Sequence, residues 1–147
     1  MTLVLSLQLF STLYMVGVIW FVQIVHYPLL AQVTPSVFTR YEQSNVRHTG
    51  WVVTPVMLIE ATTSVLLVWL RPPHLSMLLA WGGLGLLTLI WASTFYLQVP
   101  QHQKLLGGFD AKAHRRLVRS NWIRTLAWSA RGVIVLVMAA MTEGCGP

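Results

Sequence analysis

Three ionisable side chains, Glu60, Arg124 and Arg131, fall inside long apolar blocks of this 147-residue sequence, and three histidines, His26, His48 and His102, stand at the edges of such blocks. Charges are costly within a membrane span, by about 2.5–3.5 kcal/mol at the helix centre on insertion scales, so each needs a partner or a water-filled cavity. Arg124 offers a guanidinium that can hold a carbonyl or a developing oxyanion. His26 and His102 offer imidazoles, the side chain best suited to moving protons near neutrality. His26, His102 and Arg124 are therefore the candidate catalytic residues.

In "NWIRTLAWSAR", Arg124 and Arg131 are seven apart, with Trp128 four residues after the first and three before the second. That spacing puts all three on one helical face, which Asn121 and Thr125 extend. Glu60 lies nine positions past Trp51 and Arg131 nine past Trp122. Both helices start from the same membrane face, so the two reach the same depth, roughly 13 Å at 1.5 Å per residue. A Glu60–Arg131 ion pair is expected, either as a bridge that fixes helix register or as a ligand-anchoring or proton-handling pair.

His26, His48 and His102 come from different segments that topology brings to one end. Three imidazoles there could bind zinc, iron or copper, with Glu60 or Glu42 completing the site, and two on facing helices could ligate haem. The alternative is interfacial histidines bonded to backbone or water. His114 lies in a basic loop and His74 on the opposite side. Tyr27, Gln98, Trp91, Asn121 and Trp128 are the candidate ligand-binding residues, with Gln23, Thr54 and Thr94 nearby. Thr94 and Gln98 (i, i+4) and Gln23 and His26 (i, i+3) each share a helix face. Pro28 and Pro100 end or bend their spans just past these groups, and Pro55 can bend another. Bent, polar, aromatic-lined bundle ends make small-molecule pockets, although hydrogen bonding between helices accounts for the same residues without a ligand.

The elements that must position these groups are membrane helices. The sequence is 55% hydrophobic and 10% charged, with mean hydropathy +0.63. A span needs about 20 predominantly apolar residues, and four blocks qualify, about 3–30, 51–70, 76–99 and 122–141. Backbone groups in lipid must be satisfied internally, so the fold class is all-α, an integral membrane four-helix bundle forming one domain over 1–147. The first block lacks a basic n-region and a small-residue cleavage site, which reads as a retained helix rather than a secretory signal. Cys145 has no partner in the chain, which excludes an internal disulfide and a CxxC site.

The net charge of +6 reflects membrane topology rather than nucleic-acid binding. Arg40 and Arg47 fall between spans one and two, and Lys104, Lys112, Arg115, Arg116 and Arg119 between spans three and four. The positive-inside rule places both connections in the cytoplasm, with both termini and the short turn "RPPH" outside. Anionic lipid head groups are natural neighbours for the basic loop. "RPPHL" predicts a tight antiparallel link. Thr34 before Pro35 signals a helix start, either a short interfacial helix or span two reaching below the membrane. Gly107 and Gly108 break the chain, and Asp110 can cap a helix running into span four. "WGGLG" permits close helix approach. Several of the seven tryptophans suit an interfacial belt, whereas Trp91 and Trp128 lie deep enough to line the interior.

"HYPLL" ending span one, "QVPQHQKL" after span three and "RSNWIRTLAW" opening span four together resemble the anthrone oxygenase-like family of small four-span bacterial membrane proteins. The matching positions are Pro28 with Leu30, Val99 with Pro100 and Leu105, and Asn121 with Arg124 and Thr125. The chain departs from that pattern at His102, where asparagine is common, and at Trp122, where histidine is common. The resemblance implies a four-helix membrane fold; most such proteins have no assigned function, and those named as anthrone oxygenases are associated with oxidation of polycyclic anthrones to quinones with dioxygen.

Three functions are expected to compete. One is an oxidoreductase-like or ligand-binding protein for a quinone or aromatic small molecule, stacked on Trp91, Trp128 and Tyr27. Another is a metal- or haem-binding redox protein. The third is a non-enzymatic accessory subunit of a larger membrane complex, or a homo-oligomer. No charged series or repeat marks a permeation path, which disfavours a channel or transporter.

Overall fold

A computed structural model describes residues 3–70, 73 and 75–143. Four helices dominate it, α1 (Leu3–Leu30), α2 (Pro35–Leu70), α3 (Met77–Leu105) and α4 (Ala111–Glu143), and no strand occurs among the described residues. All four are long and apolar enough to cross a membrane, so the chain is an all-α, multi-pass membrane protein. The helices run up and down in sequence order, α1 packing on α2 and α4, and α3 on α4 and, more sparingly, α2. Cys145 and most of the "RPPH" link lie outside the described residues.

Two helices begin earlier than their apolar blocks. α2 continues back to Pro35 because nothing from Ser36 to Thr49 breaks it, and its polar residues bond one turn apart. Asn45 Nδ2 donates to Glu42 Oε2 at 3.1 Å, and the Thr49 hydroxyl donates to Asn45 Oδ1 at 3.1 Å. α4 begins at Ala111, where Asp110 Oδ1 accepts from the backbone N–H of Lys112 at 2.7 Å and of Ala113 at 3.1 Å. The turn before it closes through Gly108 at φ +129°, a conformation that favours glycine. Of the "WGGLG" glycines, only Gly83 faces another helix, while Gly82 and Gly85 face open space. The closest approach falls at Gly132, where an added Cβ would lie 3.2 Å from Val16 Cγ2.

Pro28 and Pro100 bend nothing to a stop. Each helix instead widens into one π turn, Val22–His26 in α1 and Thr94–Gln98 in α3, ending two residues before the proline. Tyr27 N–H reaches the Val22 carbonyl and Val99 N–H the Thr94 carbonyl. A proline removes one donor and crowds the carbonyl four residues back, so the ladder is already weakened there. In a regular helix residues four apart drift by about 40° per step. The wider turn offsets that drift, and Ile19, Gln23 and Tyr27 all stay buried.

Three apolar clusters stack along the bundle. Leu5, Leu67, Leu75 and Met138 occupy the end near the termini, Met15, Ile19, Met57, Ile90, Ala127 and Trp128 the middle, and Tyr27, Leu30, Phe38, Leu105, Ala113 and Leu117 the basic end. Outward faces are apolar too, with Leu78 80% and Trp69 79% exposed, as a lipid environment requires.

Candidate functional site

The interior holds two polar clusters, one on either side of the middle apolar layer. The first surrounds Glu60. Arg131 Nε donates to Glu60 Oε1 at 3.0 Å, the Thr12 hydroxyl donates to the same oxygen at 2.8 Å, and Trp128 Nε1 donates to Oε2 at 3.0 Å. Arg131 Nη2 donates to the Ser64 hydroxyl at 3.0 Å and Nη1 to the Gly83 carbonyl. Gln8 closes the ring: its amide donates to Thr12 at 2.8 Å, and its carbonyl accepts from Thr63 at 2.7 Å and Ser64 at 3.0 Å. All four helices contribute. The adjoining void measures only ≈ 10 Å³, about one water at most.

The second cluster lies at the basic end. His102 Nδ1 stands 2.6 Å from Glu42 Oε1. A carboxylate only accepts, so the imidazole donates from Nδ1, and its Nε2 is left to accept from the Tyr27 hydroxyl at 3.4 Å. Tyr27 is the common neighbour: the His26 ring lies 5.9 Å from it and the His102 ring 6.1 Å, and its carbonyl accepts from His114 Nε2 at 2.8 Å. Arg124 Nη1 donates to Asn121 Oδ1 at 3.3 Å, and Asn121 Nδ2 donates to Gln23 Oε1 at 2.9 Å. Arg124 Cζ lies 5.1 Å from the Trp128 ring centroid, so one indole carries a cation on its face and donates its N–H to Glu60.

The two clusters differ in how well their polar atoms are satisfied. Around Glu60 each named donor and acceptor has a partner. Four buried side-chain atoms have none among the described residues, and three of these belong to the expected catalytic and ligand-binding set: His26 Nε2, Trp91 Nε1 and Arg124 Nε, with Gln101 Oε1 the fourth. Unpaired buried groups are costly and sparse in folded proteins.

Most of the residues expected at this end do come together there. His26, His102, Tyr27, Asn121 and Arg124 share the basic half, and Trp128 links it to Glu60. Gln98 is buried but committed elsewhere, accepting from Ser93 at 3.1 Å and donating to Ser120 at 3.1 Å. Trp91 packs against the middle apolar cluster and Phe95. The metal expectation for His26, His48 and His102 requires correction. His48 lies on an exposed face of α2, its Nδ1 2.7 Å from the Ser44 carbonyl one turn back and its ring against Trp51. Helix periodicity turns it away from Glu42, six residues earlier. His102 has both nitrogens engaged, and no group of three or more His, Cys, Asp or Glu among the described residues could hold a metal ion.

Sequence reasoning passed over Gln8, Thr12, Thr63 and Ser64. Gln8 and Thr12 are one turn apart in an otherwise apolar helix, and Thr63 and Ser64 follow Glu60 by one turn; that polar spacing was the available signal. Glu42 enters the sequence reading only as an accessory metal ligand, because a helix start at Pro35 leaves open which face Glu42 presents.

Comparison with protein-family models, with curated proteins and with solved structures finds no match to this chain.

Proposed function

We propose that this protein binds a small quinone or oxygenated aromatic molecule at the basic end of its bundle and exchanges a proton with that molecule's oxygen, the proton-transfer part of an oxidoreductase-like reaction whose electrons a separate redox partner supplies. The observation that carries the reading is the set of unpaired buried atoms, Trp91 Nε1, Arg124 Nε and His26 Nε2, on three packed helices. Two are N–H donors of the kind a carbonyl or phenolate oxygen accepts, and the third can give or take a proton. Beside them Glu42 fixes the His102 tautomer, the arrangement in which an orienting carboxylate supports a general base. The sequence resemblance to anthrone oxygenase-like proteins points to the same substrate class. In this reading the protein sits in a bacterial inner membrane, with the basic end in the cytoplasm and both termini outside.

Quenching of tryptophan fluorescence by a short-chain quinone and by anthraquinone, with the protein in lipid nanodiscs, tests the proposal. Saturable quenching is expected, weakened about tenfold by Arg124→Met or Trp91→Phe, the loss of one hydrogen bond at about 1.4 kcal/mol. Absence of saturable binding by either probe, or identical binding by both variants, overturns it. An accessory subunit without a ligand would give that negative result.

A further inference from the structure

A groove of ≈ 520 Å³ opens between α3 and α4 at the basic end, away from the Tyr27 cluster, lined by Leu97, Gln101, Arg116, Arg119 and Ser120. Leu97 and Gln101 are one turn apart on α3, and Arg116, Arg119 and Ser120 follow i, i+3, i+4 on α4, so two helix faces form its walls. Neither arginine makes an ion pair among the described residues; the arginine that does is Arg131, with Glu60. The groove therefore presents two uncompensated guanidiniums, and in its wall lies the Gln101 amide, whose carbonyl oxygen is buried and has no hydrogen-bond partner among the described residues, while the Ser120 hydroxyl is engaged by Gln98 and the Leu117 carbonyl. Next to them α3 turns apolar and aromatic side chains outward, with Tyr96 79% exposed and Phe95 and Leu97 also open.

We propose that this groove is a headgroup site for an anionic, glycerol-bearing phospholipid. Arg116 and Arg119 hold the phosphodiester oxygens, matching planar donors to phosphate. A headgroup hydroxyl donates to Gln101 Oε1 once the half-buried side chain turns its buried carbonyl into the groove. The acyl chains run down the outward side of α3, where Phe95, Tyr96 and Leu97 are exposed, a continuity that a soluble phosphate lacks. Basic pockets between spans are a recurring way to select such lipids. The site is separate from the proposed quinone site, so either can exist without the other.

Native mass spectrometry of the detergent-purified protein with added phosphatidylglycerol or phosphatidylcholine tests the assignment. Phosphatidylglycerol is expected to bind selectively, and Arg116→Gln with Arg119→Gln is expected to weaken it about 30-fold, two surface cations' worth. The control pair Lys112→Gln with Arg115→Gln removes equal charge from the same helix outside the groove and is expected to leave binding nearly unchanged. Equal loss in both pairs, no preference over phosphatidylcholine, or full displacement of the lipid by millimolar inorganic phosphate overturns the proposal. All four substituted residues are exposed, so the variants keep the fold.

Discussion

Glu60 Oε1 and Arg131 Nε stand 3.0 Å apart with side-chain exposures of 0% and 1%. The pair joins α2 to α4 across the interior, and Thr12, Ser64, Trp128 and the Gly83 carbonyl complete its hydrogen bonding. A buried pair of this kind holds the helices in register because breaking it strands a charge, whether or not it adds net stability over an apolar filling.

Glu60→Ala is expected to destabilise the bundle by about 3–5 kcal/mol, since Arg131 would stay buried and unpaired. Replacing both residues with methionine is expected to recover most of that loss. Unfolding in mixed micelles with increasing SDS measures both. A loss below about 1 kcal/mol for Glu60→Ala would show that the pair does not organise the bundle.

Trp128→Phe keeps the aromatic face under Arg124 but deletes the N–H that Glu60 Oε2 accepts. The expected cost is about 1.5–3 kcal/mol, typical for a hydrogen bond to a charged group. Thr12→Val, which removes the bond to Oε1, is expected to cost a similar amount. Testing both together is expected to give a non-additive sum, because they share one carboxylate.

Gly132→Val forces side-chain atoms onto Val16 and is expected to cost about 1–3 kcal/mol through overpacking. Val16→Ala in the same chain is expected to recover much of it. Additive losses in the double variant would place the strain somewhere other than the α1–α4 contact.

Nitrogen-15 NMR of labelled histidine reads the tautomer of His102. The Nδ1-protonated form is expected to dominate, and Glu42→Leu is expected to abolish that preference by removing the acceptor at 2.6 Å. An Nε2-protonated ring in the unsubstituted protein would contradict the proposed orientation.

The Asp110 carboxyl is held below its ordinary value, first by the Ala113 backbone N–H and then by that of Lys112. Its contribution to the start of α4 is therefore full above the ordinary carboxyl range and lost as pH falls through the lowered value. Protection of the first-turn amides of α4, taken relative to their intrinsic exchange rate at each pH, is expected to fall on acidification. Asp110→Asn is expected to keep the cap and lose this pH dependence, and Asp110→Ala to show low protection at every pH.

The four spans were legible because lipid imposes a simple condition on sequence, about 20 apolar residues with the backbone bonded to itself. The Glu60–Arg131 pair was legible for a related reason: equal distances from Trp51 and Trp122 fix equal depth when helices run from the same face. Asp110 announced its cap by its place before an unbroken helical run. The π turns were not legible, because prolines at 28 and 100 are compatible with a stop, a kink or a widened turn. The metal reading failed at His48, since nearness to one end of a bundle says nothing about which face a helix presents once α2 continues back to Pro35.

By itself, then, the sequence determined the membrane setting, the number of helices, the end that collects positive charge and the depth of each buried ion, all consequences of hydropathy and a fixed rise per residue. Tertiary structure alone decided which polar side chains meet. It drew Gln8, Thr12 and Ser64 into the Glu60 network, set Glu42 against His102 and left His26, Trp91 and Arg124 with unpaired atoms. Those contacts depend on helix rotation and order of packing, and a π turn two residues before a proline changes rotation without leaving a distinctive mark in the chain.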